Sequence, residues 1–332
     1  MKRSIAIIAG GDSSEHEVSL RSAAGLKSFM DKERYDITIV VLKGDDWHTE
    51  DGCPIDKNDF SFTREGAKHT FDFAYITIHG TPGENGLLQG YLDLIHMPYS
   101  CCGVLAAAMT FNKYACNHYL HGFGFHIAKS ILLRKDEYRM MNSEHRMRII
   151  DQVINELGLP CFIKSNVGGS SFGCTKAKTP ESILPAIERA FEEGAEVICE
   201  SYMKGTEVTC GVYKTRDKAV AFPITEVVTK NEFFDYDAKY RGQVDEITPA
   251  RIPDALRDAI QAETLRIYDI IGAQGIIRVD WIITQDGDTP RINLLEVNIT
   301  PGMTPTSFIP QQVRAAGLDI KDVLTDIIEN KF

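Results

Sequence analysis

Along the first hundred positions, short apolar runs alternate with stretches in which apolar residues recur at helical spacing. Ser4 to Ala9, Asp36 to Leu42 and Phe73 to Ile78 read as strands, and Val18 to Phe29 and Gly86 to Ile95 as helices. That alternation predicts a parallel sheet flanked by helices, an arrangement whose chemistry lies at the carboxyl ends of the strands. Two polar segments, GGDSSEHEVSL (10–20) and HGTPGENG (79–86), fall at such ends.

The pattern changes near Gly103. A helical stretch runs through Lys113, then come a strand at Cys161 to Lys164 and the small-residue loop NVGGSSFG (166–173). Thr179-Pro180-Glu181 has a capping side chain, a proline at the first helical position and an early acid, so it predicts a helix start. From about Glu200 the chain is strand-rich, except for a helix from about Pro253 to Ile271. Strands at Gly275 to Thr284 and Arg291 to Asn298 precede tail helices at about Pro310 to Ala316 and Ile320 to Asn330. The expected division is 1–103, 104–199 and 200–332, because 332 residues exceed what one compact core organises.

Charge narrows the partners. A net charge of −11 disfavours a nucleic-acid partner, since phosphate backbones select basic faces. It leaves an ATP site open, because phosphates need only a few local lysines and a metal. The longest apolar runs, such as Ile5 to Ala9 and Val104 to Met109, are too short to span a bilayer. MKRSIAIIAGG places two basic residues before an apolar run, yet the run meets Gly10, Gly11 and a charged cluster with no cleavage-like pattern. It reads as a first strand rather than a secretory start. The eight cysteines form no CxxC pair, and Cys161 and Cys199 sit inside apolar strands, so they read as buried reduced thiols. Both observations point to the cytoplasm.

The chemistry concentrates in a few segments. In IIRVDWIIT (276–284), period-two alternation puts Arg278 and Asp280 on one face and Ile277, Val279 and Trp281 on the other. INLLEVN (292–298) likewise groups Glu296 with Asn298. If the two strands are neighbours, Asp280, Glu296 and Asn298 converge as oxygen ligands of the kind Mg²⁺ takes; taken singly, each strand reads as a solvated polar side. NVGGSSFG follows Lys164 and reads either as a turn or as a phosphate cradle with Lys164 and Lys113. It is neither a Walker loop nor a GxGxxG fingerprint, which removes both of those nucleotide frameworks. Glu15, His16 and Glu17 stand ahead of a helix, where one acid either meets the helix dipole or binds a substrate ammonium. His79 ends another strand, a place where a lone histidine is usually structural, although Glu84 lies in the same loop. FFDYDAKYRGQ (233–243) crowds aromatics into a loop-like stretch and reads as core packing or as a flap over a ligand.

Taken together, GGDSSEHEVSL, HGTPGENGLLQG, CGVLAAAMTFNK, KSNVGGSSFG, DYDAKY, RVD and EVNITPGMT resemble the D-alanine–D-alanine ligase family of the ATP-grasp superfamily, over nearly the whole chain. The resemblance implies an α/β (α+β) fold with a Rossmann-like N-terminal substrate domain followed by a two-part ATP-grasp fold. It implies that Lys113, Lys164 and Ser171 hold ATP phosphates, Glu200 and the Met203 backbone bind adenine, and Glu207 binds the ribose. Asp280, Glu296 and Asn298 would ligate two Mg²⁺ ions (or Mn²⁺ in their place), with Glu296 bridging. Glu15 would take the first substrate's ammonium, with His79 beside it, and Arg278 and the Gly302 N–H would polarise its carboxyl. Ser307 and the Phe308 N–H would receive the second substrate's carboxylate. Lys239 would contact the transferred phosphate, and Tyr240, Ser170 and Glu15 would tie the flap to the other domains.

Four departures stand out: Thr306 where the family has His, Phe308 where it has Leu, Val167-Gly168 where an acid is common, and Asn85 for Asp. The implied activity is ATP-dependent joining of two D-alanine molecules through an acyl phosphate, supplying peptidoglycan precursors, in a cytoplasmic homodimer with neither membrane nor nucleic-acid partners. The rivals are a sibling ligase using D-serine or D-lactate second, against whose lactate version Tyr240 speaks, and a non-catalytic ATP-binding module.

Overall fold

A computed structural model of the chain describes residues 2–169, 173–229, 244–287 and 289–332. The first sheet has the order β3-β2-β1-β7, built from β1 (Arg3–Gly10), β2 (Tyr35–Lys43), β3 (Asp46–Thr49) and β7 (Phe73–Ile76). β1 pairs in parallel with β2 and β7, as the alternating pattern predicts. Ile5 to Ala9 are fully buried because both faces of β1 are covered, which is why its sequence is a continuous apolar run. On one face Ile5, Ile7 and Ala9 meet Ala23 and Leu26 of α1 (His16–Phe29), while on the other Ala6 and Ile8 meet Leu88 and Leu92 of α2 (Leu87–Leu94). Between β3 and β7 lies a three-stranded meander the pattern did not reveal, β4 (Ile55–Asp56), β5 (Ser61–Arg64) and β6 (Ala67–His69). Its strands are too short to carry a periodicity signal.

The helical stretch through Lys113 is two helices. α3 (Val104–Phe111) ends at Asn112, whose extended backbone breaks the helix and whose Oδ1 accepts from the Ala115 N–H at 2.9 Å. Asn112 thereby caps α4 (Lys113–His121) and makes Lys113 its first residue.

A short β8 (His126–Ile127) leads to an antiparallel sheet, β11-β10-β12-β9, made of β9 (Ser130–Arg134), β10 (Cys161–Ser165), β11 (Thr175–Ala177) and β12 (Glu196–Ser201). It is backed by α5 (Lys135–Met140), α6 (Ser143–Leu157) and α7 (Ile183–Ala190). Thr179-Pro180-Glu181 opens a 3₁₀ turn at Pro180–Ser182 that runs into α7.

The third sheet runs β16-β15-β13-β17-β18-β8, with β13 (Gly205–Lys214), β14 (Ala219–Ala221) paired to it, β15 (Thr225–Thr229), β16 (Val244–Ile247), β17 (Ile276–Asp286) and β18 (Thr289–Asn298). α8 (Asp254–Ile270) packs on it, and so do Ala106, Ala107, Cys116 and Leu120 of α3 and α4. The expected division at 199/200 therefore crosses β12, and residues 104–127 share a core with the third sheet. The tail helices α9 (Phe308–Ala315) and α10 (Ile320–Glu329) return to the first sheet, where Ile309, Val313, Leu324 and Ile328 pack with Ile5 and Ile7. Gly25 of α1 permits that return, since a Cβ there would stand 2.3 Å from the Met303 carbonyl oxygen. The eight thiols are free, with six buried and Cys53 and Cys174 partly exposed. Among the described residues no helix is long and apolar enough to cross a membrane.

Candidate active site

β17 and β18 are antiparallel neighbours, with Arg278 opposite Asn298 and Asp280 opposite Glu296. Ile277, Val279 and Trp281 face the core, so Arg278 and Asp280 share the other face. A register shift follows Asp280 directly, a local irregularity of the sort that re-aims side chains beside sites. Arg278 donates to both Asp280 oxygens, at 2.9 and 2.8 Å. Burial alone pulls the Arg278 guanidinium down, but Asp280, Glu296 and Glu84 outweigh it and hold it above its ordinary range.

Asn298 Nδ2 donates to Asp280 Oδ2 at 3.1 Å and to Glu296 Oε1 at 3.4 Å. The positive end of the amide dipole thus sits where the two carboxylates converge. Turning the nearly isosteric amide over offers three oxygens to the same point, a donor set suited to a hard cation. Among the described residues no three His, Cys, Asp or Glu side chains gather as a metal site.

Beside this cluster, the next-to-last residue of β10 is Lys164, whose Nζ lies 2.7 Å from Glu200 Oε2. Burial opposes charge on Lys164, yet Glu200 and Glu296 together keep its ammonium raised. Lys113 reaches the same place from the start of α4, donating to the Gly168 carbonyl at 2.5 Å and standing 3.7 Å from Glu296 Oε2. A cavity of about 420 Å³ brings together Lys113, Lys164, Glu200, Met203, Glu207, Asp280 and Glu296, the residues expected around ATP. Asn298 is not on its wall but lines the adjoining compartment.

That compartment, about 460 Å³, holds Glu15, His79, Glu84, Arg278, Gly302, Ser307 and Phe308. Glu15, Lys113, Arg278, Glu296 and Phe308 border both cavities, which makes them one continuous site. Glu15 occupies the cap position of α1 but makes no capping bond with its side chain. Instead it packs against Gly169, where a Cβ would come 2.3 Å from Glu15 Oε2, so the loop that follows β10 and the first strand's mouth touch. His16, by contrast, bonds the Gly11 carbonyl oxygen at 2.9 Å. Glu17 lies exposed in the first turn of α1. His79 is buried, with Nε2 3.4 Å from Ser22 Oγ. Glu84 accepts from the Gly80 N–H and from the Thr300 hydroxyl, both at 2.7 Å. Burial raises its carboxyl above the usual range, against the pull of His79. Ser307 stands at the N-cap position of α9 without a side-chain capping bond and shares a 2.7 Å hydrogen bond with Thr304 Oγ1, and the Phe308 ring lies 5.3 Å from the Arg278 guanidinium.

Ser170, Ser171, Lys239 and Tyr240, with the FFDYDAKYRGQ segment, lie outside the described residues. Thr300 and Thr304, both within EVNITPGMT, line the site as well, and so do Arg21 and Glu246, to which the sequence reading gave no role. Thr300 carried a signal in its place just before Pro301-Gly302, whereas Arg21, next after GGDSSEHEVSL, and Glu246, in the polar run up to Pro249, lie in segments that were marked without themselves being distinguished.

The family described as D-ala D-ala ligase N-terminus matches residues 4–102, and that described as D-ala D-ala ligase C-terminus matches residues 120–329. The D-alanine–D-alanine ligase of Phocaeicola vulgatus is 63% identical over 336 residues, covering 100% of both chains. That of Porphyromonas gingivalis strain W83 is 53% identical over 98% of this chain and 97% of its own. Among solved structures, D-alanyl-alanine synthetase A of Vibrio cholerae matches with a TM-score of 0.87 at 29% identity, covering 99% of this chain and 98% of that one. The VanG D-Ala:D-Ser ligase of Enterococcus faecalis follows at 0.84 and 28%, covering 100% of each. A Bacillus anthracis D-alanine–D-alanine ligase complexed with ATP has a TM-score of 0.74 at 26% identity, over 99% of this chain and 97% of its own.

Proposed function

The chain belongs to the D-alanine–D-alanine ligase family, and from that membership we propose that it joins two D-alanine molecules at the expense of ATP, with its own residues in the roles that follow. The observation that carries the residue assignment is the β17–β18 register, which puts Arg278 and Asp280 across from Asn298 and Glu296 where the two compartments meet.

ATP occupies the first compartment, its adenine toward Glu200 and Met203, its ribose toward Glu207 and its phosphates toward Lys113 and Lys164. Asp280, Glu296 and Asn298 are the residues that would hold Mg²⁺. Bound there, the ion supplies charge neutralisation for phosphoryl transfer, a reaction governed by positioning and electrostatics. The first D-alanine lies in the second compartment, its ammonium against Glu15 and His79. Its carboxylate oxygen attacks the γ-phosphorus and ADP leaves, giving an acyl phosphate. The second D-alanine, its carboxylate on Ser307 and the Phe308 N–H, attacks the acyl carbon with its deprotonated amine. The peptide bond forms as inorganic phosphate departs. Arg278 and the Gly302 N–H offset charge on the carbonyl oxygen, each donor being worth about 3 kcal/mol in comparable sites. Lys239, Tyr240, Ser170 and Ser171 take their family roles at the transferred phosphate and the closing flap, by their place in DYDAKY and GGSSFG.

The homodimer, the cytoplasmic location and the assignment of the N-terminal unit as substrate domain belong to the same proposal. The exposed apolar residues Leu87, Leu94, Val104 and Leu105 on α2 and α3 support the first of these. The reading is tested by coupled ADP release with D-alanine alone, L-alanine alone, and D-alanine with D-serine or D-lactate. D-alanine alone is expected to sustain turnover. Activity with L-alanine only overturns the proposal, and a faster mixed reaction with D-serine moves the second substrate.

A further inference from the structure

Asn166 is fully buried at the start of the phosphate loop, and each of its polar groups is engaged. Its backbone N–H donates to the Glu196 carbonyl at 2.9 Å, and its carbonyl accepts from the Lys113 N–H at 3.1 Å. Its side-chain Oδ1 accepts from the Tyr114 N–H at 2.8 Å, while Nδ2 donates to Glu196 Oε2 at 2.7 Å. Asn112, the cap of α4, donates to the same Glu196 oxygen at 3.2 Å, and Arg134 Nε lies 3.3 Å from the other. The first N–H groups of a helix have no partner within it. In α4 those of Lys113 and Tyr114 are taken by Asn166, and that of Ala115 by Asn112. The helix start is therefore spent on the protein, and only the Lys113 side chain extends into the nucleotide compartment, beside the Gly168 carbonyl.

We propose that Asn166 and Glu196 are positioning residues that fasten the start of α4 to the phosphate loop, and so set where the Lys113 ammonium meets the nucleotide phosphates. The inference rests on the reading that Lys113 binds ATP. It follows from connectivity: Lys113 and the loop belong to segments more than fifty residues apart, β10 already holds the start of the loop on β12 through the Ser165–Val197 pairing, and the Asn166–Glu196 network adds the side-chain links that bring the start of α4 to them. Releasing it loosens two segments that must act as one jaw on the phosphates; in the D-alanine compartment they form only the edge shared with the nucleotide cavity, and Glu15, His79, Arg278 and Ser307 lie outside the network.

The test is steady-state kinetics on full-length Asn166→Ala, Glu196→Ala, the double variant, Glu196→Gln and Lys113→Ala, with ADP affinity by calorimetry and urea unfolding on each. Removing one partner of a buried hydrogen bond leaves the other unsatisfied, so KM for ATP and Kd for ADP are expected to rise about tenfold in either Ala variant. KM for each D-alanine should stay within about twofold, and the double variant should be no worse than the poorer single, as for members of one network. Glu196→Gln retains an acceptor for Asn166 Nδ2 and should recover most of the affinity. Unchanged nucleotide affinity in folded Asn166→Ala or Glu196→Ala overturns the proposal, as does an equal rise of all three KM values. If Asn166→Ala does not fold, Glu196→Ala, altered at a partly exposed side chain, decides alone. Lys113→Ala with normal ATP affinity overturns the underlying assignment; weakened ATP binding there, with Asn166→Ala normal, overturns only the clamp.

Discussion

Glu296 and Asp280 are both assigned to the cation, yet they sit in different electrostatic settings, and substituting each separates stability from catalysis. The Arg278–Asp280 pair is bidentate, with side-chain exposures of 14% and 9%. Asp280→Ala leaves a buried guanidinium without its main partner, a loss of about 3–5 kcal/mol in unfolding free energy. Glu296 is 25% exposed, and its carboxylate stands 3.7 Å from Lys113 Nζ, too far for a strong contact. Glu296→Gln keeps the volume and an acceptor for the Asn298 amide, and it leaves the Arg278–Asp280 pair intact, so it costs about 1 kcal/mol, well below Asp280→Ala. On the proposed assignment both lose an anionic cation ligand, and the charge stabilisation a bound metal provides, several kcal/mol, translates into at least a roughly 100-fold fall in turnover. The expected result is one stable, inactive variant and one unstable, inactive variant. Urea unfolding measures the first quantity, and coupled ADP release across a MgCl₂ titration measures the second. Glu296→Gln turning over within about threefold of the parent at every Mg²⁺ concentration refutes the ligand assignment. Asp280→Ala unfolding within about 1 kcal/mol of the parent refutes the buried-pair reasoning.

Burial raises the Glu84 carboxyl, so the folded chain holds that proton more tightly than the unfolded chain. Folded protein then binds more protons in the window that opens near about pH 4.3, and stability falls as pH rises through it. Glu84→Gln should flatten that decline in unfolding free energies measured from weakly acidic to neutral pH; an unaltered slope counts against the burial argument. Burial pushes the thiols of Cys101, Cys116 and Cys210 up to about 12 and those of Cys102 and Cys161 up to about 11, with Cys199 raised as well. A thiol reagent on native protein should label Cys53 and Cys174 alone, and ATP should slow Cys174, which lines the nucleotide cavity; peptide mass spectrometry reads both. Leu105 is 80% exposed on the apolar face of α2 and α3, so Leu105→Glu should yield monomer by light scattering, with the fold kept. A dimer that persists in the variant places the contact elsewhere.

What the sequence determined by itself was local. Period-two alternation was enough to put Arg278 with Asp280 and Glu296 with Asn298, because a strand's side chains alternate whatever it pairs with. A doubly buried β1 was legible in Ile5 to Ala9, since only a covered strand stays apolar at every position. The family motifs then placed the reaction. Tertiary structure decided what depends on partners distant in the chain. The register that sets Asp280 opposite Glu296 follows from which strand edges pair and which faces are buried, neither of which a single segment encodes. Lys113 became the first residue of a helix because Asn112 could cap it while Asn166 took its N–H, a choice made across more than fifty residues. Tail helices that the sequence pattern assigns to 200–332 pack on the first sheet, since their apolar stripes specify that they be covered but not by what. Arg21 and Glu246 reach the site the same way: their segments were marked in the sequence, but which of their side chains face the cavity was set by packing.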